Sequence, residues 1–274
     1  MKIKIYNQFN PELKVYWNIL EGKSYHFIFQ RFDWLSTWQK YIGSQKFNIK
    51  PYIILVLDNN DNPLLIFPLG QILKYKIKII TFLGGGQSDY NFPLIDNSFI
   101  TKNSLLIDLL VKIKKKLPNY DILHFDKFPE KVSENFNPFL RLLNFKSHDI
   151  AYYREIPKTV DDFEKNLRSK LRTDTKRQIR RLNNLPGELK VDLENILNDN
   201  KKGIEAMISQ KKKKYIQSNV PNIFQDRDVE GFYLNLHKYL KGDASIHFSV
   251  LKFNNKYLST HWGAIHNKRF YFLM

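Results

Sequence analysis

Between Pro51 and Leu73 the chain reads PYIILVLDNNDNPLLIFPLGQIL, two apolar runs separated by the turn-forming stretch Asp58–Asn62. Runs of this length and composition, divided by Asp and Asn, read as two strands joined in a hairpin. The longest uninterrupted apolar piece, Tyr52–Leu57, falls far short of the roughly 20 residues needed to span a bilayer. Helical periods flank this hairpin. DWLSTWQKYIG places Trp34, Leu35 and Trp38 on one face, with Gly43 as a C-terminal stop, and NSLLIDLLVKIKKKL repeats apolar residues at 105, 106, 109, 110 and 113. KIKIITFL reads as a further strand closed by GGG, YDILHF as another strand and NPFLRLLNF as a short helix. Helices interleaved with hairpins predict a mixed α/β sheet and not a helical bundle.

A similar order of elements restarts near Tyr152. The segment AYYREI reads as a strand, followed by the acid-capped start TVDDFEKNL, a strongly basic helix, a helix over about 198–217, a helix in EGFYLNLHKYL, and three strands joined by the turns NN and HNK. This order suggests two related domains, 1–150 and 151–274. The last residues, RFYFLM, read as an interior strand, so the expectation is a second domain that is incomplete at its C-terminal end.

The net charge of +17 favours anionic partners, although abundant Lys, Asn, Ile, Tyr and Phe with scarce Ala point to AT-rich coding as a source of part of it. There are no cysteines, so disulfides, thiolate metal sites and cysteine nucleophiles are excluded, which fits a cytoplasmic setting. The start, MKIKIYNQFN, lacks the apolar run of a signal peptide.

The charge concentrates in LRSKLRTDTKRQIRRLNN, where seven Lys or Arg residues face the single acid Asp174. At helical spacing Leu167, Leu171, Thr175, Ile179 and Leu182 form a packing stripe, with Arg168, Arg172, Lys176 and Arg180 beside it. Arg is rare in the first 150 residues, so five in this stretch point to an anion grip, with Arg168, Lys170, Arg172 and Arg180 as candidates, against a plain solvated face. In ISQKKKKYIQ, Lys211 falls on the same stripe as Ile204, Ile208 and Tyr215. A lysine there either meets an anion or snorkels to water. FLGGGQSDYN lacks a phosphate-loop Lys-Ser/Thr and reads as a tight turn presenting Asp89 and Tyr90. The seven histidines are scattered without metal-ligand spacing, and no GxSxG elbow occurs. His261, in STHWGAIH, is the candidate general base, weighed against an ordinary core or surface histidine.

Several stretches together, FIFQRFDWLSTW, PLGQIL, FLGGGQSDYNFPLI, LRSKLRTDTKRQIRRL, QKKKKYIQSNVPNIFQDRDVEGFYLNL and FSVLKFNNKYLSTHWGAIHNKRFYFLM, resemble the cellulose-biosynthesis-type acetyltransferases. These are the CelD/BcsL-like, or BioF-like, branch of the GNAT superfamily, related to the FemAB transferases. The resemblance implies two tandem GNAT-like α/β domains, with the second truncated, and acyl transfer from acetyl-CoA or another acyl-CoA to an amine. It needs no metal, and it implies a sugar, polysaccharide precursor or small metabolite as acceptor. It adds Gln210 and Trp262 to the binding candidates Asp89, Tyr90, Arg168, Lys170, Arg172, Arg180 and Lys211. Family members continue past the FYFLM strand into a YDxxW…SPG-type loop and a helix whose N-terminus would hold the CoA pyrophosphate. The alternatives are a FemAB-like transferase using aminoacyl-tRNA and a non-catalytic RNA-binding or assembly module. Of these, the acyl-CoA enzyme is expected and nucleic acid is not the expected partner.

Overall fold

The computed structural model describes residues 1–100, 103–132, 135–137, 139–140, 150–193 and 201–274. Its first sheet is built around the predicted hairpin. β2 (Lys50–Leu57) pairs antiparallel with β1 (Lys2–Tyr6) and with β3 (Pro63–Lys74), and β3 pairs with β4 (Ile77–Phe82) and with the short β5 (Leu94–Ile95). β6 (Ile122–Leu123) joins β4 in parallel, giving the order β1-β2-β3-β4-β6. The Asp58 carboxylate ties the β2–β3 turn by accepting from the amides of Asn60 and Asn62, both at 2.8 Å.

The apolar run of β2 is explained by burial on both faces. Ile54 and Val56 join Leu65, Phe67 and Phe82 on one side, covered by Leu106, Leu109 and Ile113 of α4 (Asn103–Lys114). Ile53, Leu55 and Leu57 face the other side, where α1 (Pro11–Glu21) supplies Leu13, Trp17 and Leu20, and α2 (Phe32–Trp38) supplies Trp34, Leu35 and Trp38. A five-residue π-helical turn, Gln39–Gly43, extends α2 to the predicted glycine stop. The short α3 (Asn97–Ile100) follows β5.

The second sheet is wholly antiparallel in the order β12-β11-β10-β9, from β9 (Leu189–Leu193), β10 (Ser245–Phe253), β11 (Lys256–His266) and β12 (Arg269–Phe272). Both predicted tight turns form: Asn254 and Asn255, then Asn267 and Lys268, all have positive φ, the conformation of two-residue hairpin loops. α7 (Lys201–Gln217) and α8 (Arg227–Tyr239) cover one face of this sheet. The same buried cluster runs from the first sheet through α1 and α2 into these helices and on to Phe248, Val250, Trp262 and Tyr271. Gly231 of α8 permits part of this contact, since a Cβ there would lie 2.9 Å from the Tyr41 ring.

Three expectations need correction. AYYREI is not a strand; Tyr152 and Tyr153 are almost fully exposed, and with Pro157 close behind, the segment pairs with no sheet edge among the described residues. YDILHF pairs only through Ile122 and Leu123. The basic helix does form, as α6 (Ser169–Asn183) after α5 (Val160–Lys165), but its apolar stripe does not pack: Leu171 and Ile179 are about half exposed and no residue of α6 is buried. β7 (Lys131–Val132) and β8 (Asn135–Phe136) make a separate small ladder. The helix expected in NPFLRLLNF lies largely outside the described residues, as does the expected start of the helix over 198–217.

Candidate functional site

The loop after β4 carries a feature of the first sheet across to the second. Gly84 has φ 105°, a left-handed conformation open chiefly to glycine, and it turns the chain into a single 3-10 turn at Gly85–Gln87. The Lys127 ammonium then clamps the loop by donating to the carbonyls of Gly85 (3.2 Å) and Ser88 (2.6 Å). Trp38 Nε1 donates to Gln87 Oε1 at 3.0 Å, fixing the Gln87 side chain beside α2. Beyond it, Gln87 reaches hydrogen-bonding range of the Tyr233 hydroxyl on α8.

Tyr233 is buried, edge-on to Trp262 with ring centroids 5.0 Å apart, and burial pushes its hydroxyl well above the ordinary tyrosine range. The neighbouring Tyr215 and Asp89 charges push in the same direction. Asp89 itself is held above the usual carboxylate range by the surrounding protein, and Lys127 pulls it partly back. Solvent still reaches the residue. Among the described residues the Asp89 carboxylate makes no hydrogen bond and no ion pair.

Tyr90, next to it, takes a different role. Its ring stacks on Phe27 at 4.5 Å and its carbonyl accepts from Gln30 Nε2 at 2.7 Å, so it docks the loop onto the first half. Arg269 of β12 lies 5.0 Å from the Phe27 ring centroid.

On the second half, Gln210 spends both ends of its amide between elements. Nε2 donates to the Tyr257 carbonyl at 3.1 Å and Oε1 accepts from Thr260 Oγ1 at 2.8 Å, which docks α7 onto β11. Lys211 follows on the same helix, half-buried, with its pKa lowered first by burial and then by Lys214. It lies near enough to His261 to act on it. His261 is lowered to about 4 by burial first, with His247 and Lys211 adding repulsion. Its ring sits 4.2 Å from Phe272 and 5.4 Å from Phe270, and Nε2 is buried with no protein partner. A neutral imidazole with one free nitrogen can accept a proton or a hydrogen bond. Trp262, one residue on, faces inward and is buried among Tyr233 and Trp34.

The structure therefore brings Asp89 near Tyr233, which packs on Trp262, whereas His261 lies on the opposite face of β11 among His247, Phe270 and Phe272, within reach of the Lys211 charge. It does not bring the basic helix there. Arg168 caps α6, and Lys170 and Arg180 are exposed, with Arg172 half-buried. Asp174 is bridged to Arg177 at 2.9 Å within the helix. Sequence reasoning missed Gln87, Tyr233, Tyr215 and Lys127. The one signal for Tyr233 was a hydroxyl on the apolar stripe of α8 with Val229, Phe232 and Leu236.

An antiparallel sheet with two helices on one face and a short edge strand β12 is now in view. Residues 169–274 match the acetyltransferase (GNAT) domain family. No curated protein matches the chain. The second half thus carries a GNAT acetyltransferase domain, and GNAT domains take their acyl group from acyl-CoA, which supports acyl transfer as the general activity. Among the described residues no helix is long and apolar enough to cross a membrane, and no group of three or more His, Asp or Glu could hold a metal ion.

Proposed function

We propose that the chain is an acyl-CoA-dependent N-acyltransferase of the CelD/BcsL-like type, acting on the amine of a sugar, polysaccharide precursor or small metabolite. One observation carries the reading: the unpaired Asp89 carboxylate, delivered by one half of the chain beside Tyr233 of the GNAT domain. An acceptor amine arrives as an ammonium ion, and a half-desolvated carboxylate is a suitable group to receive it. The amine must then lose a proton before its nitrogen attacks the thioester carbonyl and the C–S bond breaks to release the CoA thiolate. His261 is the proposed acceptor of that proton; its Nε2 is buried without a protein partner, so the proton would reach it through water and not directly from an amine held at Asp89.

The donor's arm carries amide groups, and β12 is the edge strand of the second sheet, with no strand beyond it among the described residues. An open strand edge pairs naturally with such amides. Arg168, Lys170, Arg172 and Arg180 of α6 supply the positive field that draws the phosphates of the donor or an anionic acceptor.

A second reading, an aminoacyl-tRNA donor as in the FemAB relatives, is favoured by the exposure of α6. A helix with no buried residue suits a long polyanion better than one pyrophosphate. The deciding experiment measures binding and turnover with purified protein. Acetyl-CoA is expected to raise the melting temperature, and Asp89→Asn to reduce kcat/KM for the amine about 10–100-fold while leaving acetyl-CoA binding intact. A tRNA complex that persists at moderate salt, without any thermal shift from acetyl-CoA, would establish the second reading instead.

A further inference from the structure

A separate cluster of ionisable side chains lies inside the contact between the two halves. Arg31, the residue that caps α2, sends one guanidinium nitrogen to Asp243 Oδ1 at 2.8 Å and the other to the Lys241 carbonyl at 2.9 Å, both in the loop between α8 and β10. The same guanidinium lies 3.6 Å from Glu21 Oε2 of α1 and 4.0 Å from Asp33 Oδ2 of α2, and Asp33 is itself bridged by Lys14 at 3.0 Å. Alongside, His26 from the first half and His266 from β11 face each other with ring centroids 4.8 Å apart. They are only 5% and 1% exposed, so neither ring can hydrate a charge without movement. His26 Nδ1 is 3.0 Å from the Ser24 carbonyl, and His26 Nε2 has no partner. His266 Nδ1 is 3.1 Å from Asp243 Oδ2, an ion pair only when the ring is protonated, and Asn267 Nδ2 meets its Nε2 at 3.1 Å.

We propose that His26 and His266, packed across this contact beside the Arg31–Asp243 bridge, form a proton-sensitive latch that holds the two halves together when both rings are neutral and parts them when they are protonated. The charge balance supports this. Asp33 is engaged by Lys14 and Asp243 Oδ1 by Arg31, so two imidazolium ions would join a guanidinium with only Glu21 and the Asp243 carboxylate, already shared with Arg31, to balance three positive charges. Burial raises the Glu21 pKa, so acidification neutralises that anion as it charges the rings. Burial is also the first cause lowering both histidines, with Arg31 adding to each and His26 to His266, while Asp243 acts in the opposite sense; His266 falls to about 4.

The sign follows from linkage. Each buried histidine binds its proton more weakly in the closed form than in water, where the ordinary value is about 6.5, so lowering the pH toward about 4 favours the open form. Glu21, with its raised pKa, acts in the opposite direction, and the proposal requires that the two histidines outweigh it, so that opening takes up protons on balance.

The test is amide hydrogen exchange of the intact chain at about pH 7 and about pH 4.5, corrected for intrinsic rates, with histidine NMR titration in parallel. The expected result is that His266 stays neutral at about pH 6, that His26 titrates below the ordinary histidine value, and that exchange in 27–38 and 260–274 rises at least about tenfold as they protonate. Residues 106–113, packed on the far side of the first sheet, should keep their protection. His266→Gln should flatten the response. If that variant does not fold, the wild-type comparison still decides. Titration of either ring at the ordinary value, protonation without faster exchange at the contact, or an equal rise over 106–113 would overturn the proposal. None of these readouts depends on acyl transfer or on CoA.

Discussion

Gln210 shows how one side chain can look like a binding residue and work as a joint. Its amide bridges the Tyr257 carbonyl and Thr260 Oγ1, so removing it leaves two partly buried polar groups unpaired. Gln210→Ala is expected to cost about 1–2 kcal/mol, read as a drop of a few degrees in melting temperature. His261 gives a pH prediction. Because its folded pKa lies near 4, it is neutral throughout the physiological range, and the limb of kcat/KM against pH that it controls should fall as the pH drops through about 4, not through about 6.5. His261→Gln should abolish that limb. A limb at the ordinary histidine value that persists in the variant would remove His261 from the proton path. The residue types at these positions were readable in the sequence. The free nitrogen of His261 and the unpaired carboxylate of Asp89 were not, because they depend on which groups the fold leaves out of reach.

At the scale of elements, α6 separates charge from packing. No residue of the helix is buried, so substitutions on it should change stability by no more than about 0.5 kcal/mol. Binding should respond differently. Arg172 is half-buried and Lys213 on α7 is exposed, so Arg172→Ala is expected to weaken donor or acceptor binding more than Lys213→Ala, as measured by titration calorimetry. Equal losses would reduce α6 to undirected surface charge. The helix was legible from its 3.6-residue period and from its Arg content. Its unpacked apolar stripe was not, since periodicity reports a face suited to burial and says nothing of whether a partner arrives. AYYREI failed for a related reason: β-forming residues make a strand only where a sheet edge is open to them.

Across the whole molecule the aromatic layer of α2 links the two sheets. Trp34 contacts Phe29, Phe232 and Trp262, and so joins residues from both halves in one buried cluster. Trp34→Ala should cost about 3–5 kcal/mol. Because the cavity would lie between the halves, a single cooperative unfolding transition is expected to lose its sharpness or split, as seen by calorimetry. Unchanged cooperativity would mean that each half is held without the other.

Local information was enough for the β2–β3 hairpin, the NN and HNK turns and the amphipathic helices α4 and α8, because each is dictated by neighbours within a few residues through turn chemistry or apolar period. The arrangement of Asp89 against Tyr233, and of His26 against His266, required the tertiary structure. Those partners are more than 140 residues apart in one case and 240 in the other, and no local preference encodes a contact made only when two sheets close on a shared core.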